Sequence, residues 1–118
     1  MTFRGLPQVQ STLKMIVRDW SEDGAVERET CYKPILDELI ELYPTRPLRA
    51  KKKVLLPGAG MGRLAYDVAE LGFQSQGNEF SLYMLCGANY ILNQCKYKNT
   101  MTVYPWVHQY WYGRLEMV

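Results

Sequence analysis

Apolar residues first recur along this chain at Val9, Leu13, Ile16, Val17 and Trp20, the i, i+4, i+7, i+8, i+11 spacing of one face of an amphipathic helix. Ser21-Glu22-Asp23-Gly24 is a loop by composition and ends that helix. A second helix begins about Ala25, and Pro34 either kinks it or opens a new helix as its first residue. Ile35, Leu36, Leu39, Ile40 and Tyr43 continue with a further apolar stripe, closed by Pro44 and Pro47.

From residue 53 the pattern changes. Val54-Leu55-Leu56 is a continuous apolar run without alternation, which predicts a strand covered on both faces. Pro57-Gly58-Ala59-Gly60-Met61-Gly62 is a glycine-rich turn. Between Arg63 and Leu71 the spacing is helical, with Leu64, Ala65, Val68 and Ala69 inward and Arg63, Asp67 and Glu70 outward; Gly72 ends it. Phe73 to Asn78 reads as a second strand finishing at Glu79. Ser81 to Leu92 is apolar nearly all round, so it is expected to be buried or held against a partner. Strand, glycine turn, helix and strand make one βαβ unit of an α/β fold with a parallel sheet.

Composition narrows the function classes without choosing one. The chain has 118 residues, 47% of them apolar and 13% aromatic, the make-up of a globular protein with a core. A formal charge of +2 argues neither for nucleic acid nor for an anionic membrane surface. No run of 18 apolar residues is present, and the N-terminus lacks the apolar stretch of a secretory signal. The basic run Arg46, Arg49, Lys51, Lys52 and Lys53 reads as a solvated loop leading into the first strand. Cys31, Cys86 and Cys95 have no metal-type spacing and read as small buried hydrophobes, which suits a reducing compartment such as the cytosol, with the nucleus also open.

The chemistry rests on a pair, the glycine turn and Glu79, seventeen positions after Gly62. Glycines after a first strand permit positive φ and let a ligand approach the backbone with no Cβ in the way. The following helix offers free N–H groups there. A carboxylate about 20 residues after the start of such a turn lands at the end of the second strand, within reach of a ribose. A dinucleotide site would want Gly or Ala where this chain has Arg63, which disfavours a dinucleotide oxidoreductase. The spacing Gly58-x-Gly60-x-Gly62 resembles instead the first motif of Rossmann-type methyltransferases.

Five segments carry a closer resemblance: VRDWSEDGAVER (17–28), CYKPIL (31–36), VLLPGAGMGRLAYDVAELGF (54–73), QGNEFSLYML (76–85) and YPWVHQ (104–109). In this order they are similar to the carnosine N-methyltransferase family. That resemblance implies a partial Rossmann-type class I methyltransferase fold, with an N-terminal helical segment (1–53), the start of the cofactor domain (54–109) and a divergent tail (110–118). It implies transfer of a methyl group from S-adenosyl-L-methionine to the imidazole of carnosine or of another histidine-containing dipeptide, giving anserine in the case of carnosine. It also implies that Gly58, with Gly60 and Gly62 of the same turn, binds the cofactor, that Glu79 holds its ribose, and that Arg18 reaches its carboxylate end. Met15 stands where the family has a glutamine that touches the cofactor.

By periodicity alone Arg18 is a solvated helix charge, and His108 a packed histidine. The aromatic end, Tyr104, Trp106, Tyr110, Trp111 and Tyr112, reads as packing and not as base stacking. The likeness stops after Gln109, ahead of the segments that would complete the sheet and hold the acceptor. A truncated form is therefore the expectation, either an enzyme by descent or a non-catalytic remnant that binds cofactor weakly or pairs with another chain, a second copy included, through its sheet edge.

Overall fold

The computed structural model describes residues 6–104. The His108, Trp106, Tyr110, Trp111 and Tyr112 readings and the tail 110–118 lie outside that range.

The first helix, α1, spans Leu6–Trp20. Two short helices follow, α2 (Ala25–Cys31) and α3 (Lys33–Leu42), and Pro34 occupies the first turn of α3, so it opens a new helix. A single helical turn, α4 (Arg46–Arg49), leads to β1 (Lys53–Pro57). Next come α5 (Arg63–Glu70), β2 (Gln74–Asn78) and α6 (Leu82–Asn89), which runs on into a π-helical turn at Tyr90–Gln94. β1 and β2 pair in parallel, Lys53 opposite Gln74 through Pro57 opposite Asn78, with α5 as the crossover.

The core lies on one face of this pair. Leu56, Val68 and Phe73 are buried, and Leu36, Leu39, Tyr43, Val54, Leu64, Ala65 and Leu71 pack around them. Tyr43 meets Phe73 edge to face at 5.8 Å. Ser75 points to the same side and donates its hydroxyl hydrogen to the Ala65 carbonyl at 2.8 Å.

Several expectations are corrected here. β1 is not covered on both faces: Leu56 is 9% exposed and its neighbour Leu55 is 55% exposed. The side chains of a strand alternate, and among the described residues α3 and α5 cover only one side. Ala69 is exposed, because α5 turns a narrower stripe to the sheet than its composition suggests. Cys31 and Cys86 are exposed and Cys95 is half-buried, so none is a buried hydrophobe. The basic run is not simply a solvated loop. The Arg49 guanidinium donates to the carbonyls of Tyr43, Pro44 and Leu71, tying the α3–α4 connection to the end of α5. Helix α6 packs on α1 yet has no buried residue; Leu82, Tyr83 and Leu85 all lie open.

Candidate functional site

The parallel register sets Pro57 beside Asn78, so the turn after β1 and the loop after β2 emerge side by side. The Ala59 amide donates to the Asn78 carbonyl at 2.8 Å and fixes their spacing. Gly58, Gly60 and Gly62 all sit in the left-handed region, at φ +64°, +56° and +81°. A side chain at any of them would be strained, but the space beside each differs. A Cβ at Gly62 would lie 2.9 Å from Leu92 Cδ1, and one at Gly60 would lie 3.0 Å from the Met15 methyl. A Cβ at Gly58 would meet nothing within 4 Å among the described residues. Gly62 and Gly60 are therefore glycines partly for packing, whereas Gly58 borders open space.

Glu79 closes the site from the other strand. Its Oε1 accepts the Gly60 amide hydrogen at 3.0 Å, and its Oε2 accepts that of Ser81 at 2.8 Å. The Ser81 amide first, then those of Gly60 and Phe80, outweigh partial burial and hold this carboxylate below the usual carboxylate range. Glu79 is thus ionised, half-exposed, and still has lone pairs to offer outward. Ser81 in turn caps α6, its hydroxyl accepting from the Met84 amide at 3.4 Å.

The C-terminal end of α1 docks on the same turn. Trp20 Nε1 donates to the Met61 carbonyl at 3.1 Å, and Arg63 Nη1 donates to the Asp19 carbonyl at 3.2 Å. Arg63 also stacks over the Trp20 ring at 5.0 Å and pairs with Asp67 at 3.0 Å. The expected outward placement of Arg63 is therefore corrected: it is half-buried, because it fastens α1 to α5. Met61 is fully buried beneath this junction.

Arg18 is held one helical turn beyond Met15. Its Nε bonds Asp19 Oδ1 at 3.2 Å and its Nη2 bonds Tyr32 Oη at 3.0 Å. Arg18 and Met15 line one cleft of about 340 Å³, together with Lys14, Val17, Asp23, Gly24 and Glu27. Gly58, Gly60, Gly62 and Glu79 are thus assembled directly at the strand ends. Arg18 does not join them directly: among the described residues it makes no hydrogen bond to the turn or to Glu79, and α1 reaches the turn through its neighbours Met15, Asp19 and Trp20.

Sequence reasoning missed Asp19 and Tyr32. Asp19 is a fully buried charge on a helix whose periodic face is apolar, and its partner Tyr32 comes from the α2–α3 junction. The one legible signal was position: Thr12, Met15 and Asp19 fall at i, i+3 and i+7, a second face of α1.

Comparison with known proteins gives a consistent result. Residues 2–115 match the family described as carnosine N-methyltransferase. The chain is 51% identical over 104 residues to carnosine N-methyltransferase unmet of Drosophila melanogaster, covering 87% of this chain and 23% of that protein. It is 50% identical over 106 residues to the carnosine N-methyltransferase of Mus musculus, covering 89% of this chain and 26% of the mouse protein. For Schizosaccharomyces pombe the figures are 48% over 106 residues, 89% and 28%. The chain spans about a quarter of the length of these curated relatives.

Proposed function

Because the chain belongs to the carnosine N-methyltransferase family, a family of enzymes, we propose that residues 54–109 are the start of a Rossmann-type S-adenosyl-L-methionine domain and that the whole protein methylates the imidazole of carnosine. The observation that supports this reading is the set of three left-handed glycines facing an ionised Glu79 across the ends of two parallel strands. The residues present fit such a cofactor. Gly58 leaves room for a ligand against the backbone, and Glu79 keeps acceptor capacity for ribose hydroxyls. Arg18 offers a guanidinium for the carboxylate end.

When bound, S-adenosylmethionine supplies a methyl group on a sulfonium, open to in-line attack by a neutral imidazole nitrogen. The work left to this segment is alignment and anchoring. Glu79 fixes the turn to the start of α6 through its two amide contacts, so the ribose would meet a carboxylate already in place. Met15, where the family has a glutamine, gives the turn a thioether and no hydrogen bond, so here the cofactor would depend more on Glu79 and Arg18. A cytosolic or nuclear location and anserine as product belong to the same proposal.

Calorimetry with S-adenosylmethionine tests it. Wild-type chain is expected to bind, and Glu79→Gln to weaken binding by about 1–3 kcal/mol, the scale of a lost charge-assisted hydrogen bond. Unchanged affinity in the variant removes Glu79 from the site. A radiolabelled-methyl assay of the whole protein with carnosine tests the transfer itself, and absence of labelled product would sink it.

A further inference from the structure

Arg18 belongs to a closed ring of hydrogen bonds. Its Nε donates to Asp19 Oδ1 at 3.2 Å, its Nη2 donates to Tyr32 Oη at 3.0 Å, and the Tyr32 hydroxyl donates to the same Asp19 oxygen at 2.8 Å. Nε and Nη2 share the side edge of the guanidinium, so both contacts grip that edge. Nη1 makes no hydrogen bond among the described residues, and the Arg18 side chain is 35% exposed toward the cleft it shares with Met15. The end edge, Nη1 with the remaining hydrogen of Nη2, is the one left for a planar anion.

Tyr32 and Asp19 are otherwise costly choices. Asp19 is fully buried and its Oδ2 has no hydrogen-bond partner among the described residues, so the side-chain hydrogen bonds that satisfy its carboxylate there are those of the ring. Asp19 and Tyr32 each touch Arg18 and each other, which an aspartate alone would not need in order to pair with its neighbour in sequence. Burial first, and then the hydrogen bond to Asp19, push the Tyr32 phenol up to about 12. The hydroxyl therefore keeps its proton at any ordinary assay pH and stays a donor to Asp19.

We propose that Tyr32, together with Asp19, is a positioning residue that holds the Arg18 guanidinium with its end edge turned to the carboxylate of a bound amino-acid-bearing nucleoside. This rests on the cofactor reading above and adds to it the residues that set specificity for the amino-acid portion. A flexible arginine would lose rotamer freedom on binding; one already held by two contacts loses less. A purely architectural Tyr32 would instead affect all ligands alike, through stability.

Two probes separate these roles: S-adenosylmethionine, and 5′-methylthioadenosine, which shares the nucleoside and lacks the amino-acid portion. Calorimetry on the full chain is expected to give about ten-fold weaker S-adenosylmethionine binding for Tyr32→Phe, the scale of one hydrogen bond to a charged group. Methylthioadenosine affinity is expected to stay unchanged. Arg18→Met should give the same selective loss, and adding Tyr32→Phe to it should cost nothing more. Equal loss for both probes, or no loss for S-adenosylmethionine, overturns the proposal. Asp19→Asn carries the same expectation should Tyr32→Phe not fold; failure of both to fold assigns the ring to stability alone and also overturns it. If wild-type chain binds neither probe, the cofactor reading itself falls, an outcome distinct from binding without selectivity.

Discussion

Replacing Gly58 by alanine separates a turn that the fold needs from one that a ligand needs. Gly58 sits at φ +64° and, among the described residues, nothing beyond its chain neighbours lies within 4 Å of where a Cβ would stand, so the methyl group collides with none of them. The left-handed backbone costs alanine about 1–2 kcal/mol. The loss of unfolded-chain freedom relative to glycine returns about 0.4–1 kcal/mol. The net is about 1 kcal/mol, a fall in Tm of about 4–8 °C for a domain of roughly 100 residues. A ligand lying against the same backbone would meet the methyl directly, and overpacking of that kind costs about 1–3 kcal/mol, or about 5- to 150-fold in affinity. Thermal melting and calorimetry with S-adenosylmethionine, run on the same preparation, read the two effects separately. Gly62→Ala supplies the contrast: at φ +81° its methyl also presses on Leu92 Cδ1 at 2.9 Å, so it should lose more stability than Gly58→Ala. A Gly58→Ala protein that shows the small stability loss and binds S-adenosylmethionine as tightly as wild type would refute the cradle and leave only a tight turn.

The remaining expectations concern Glu79 and the core. Glu79 has a lowered folded pKa, so the stability it contributes is fully present above its ordinary carboxyl value of 4.5 and is lost as pH falls through the folded value. The Tm difference between wild type and Glu79→Gln should accordingly be constant near neutrality and shrink in acid; a difference that persists unchanged at low pH would contradict an ionised link to Gly60 and Ser81. Val68 is fully buried between α5 and the sheet, so Val68→Ala should cost about 2 kcal/mol in chemical denaturation, from about 0.8 kcal/mol per buried carbon plus the cavity. Affinity per folded molecule should not move, and a cost within about 0.5 kcal/mol would place Val68 outside the core.

The amino-acid sequence by itself determined what depends on neighbours along the chain. Helices α1, α3 and α5 follow from apolar spacing, the break at Pro34 from its missing amide hydrogen, and the turn at Gly58–Gly62 from the need for positive φ. The pairing of that turn with Glu79 was also legible, because a βαβ unit brings the ends of consecutive strands together whatever its helix contains. Tertiary structure alone decided the rest. Leu55 and Leu56 are identical residues in one strand, and only the one-sided packing of α3 and α5 buries one and exposes the other. Arg63 reads as a surface charge until Trp20 and the Asp19 carbonyl arrive from α1, more than forty positions earlier. The Arg18–Asp19–Tyr32 ring joins residues from two helical segments, and the charge it buries is tolerable only because those partners converge, a condition that no local pattern of polar and apolar residues encodes.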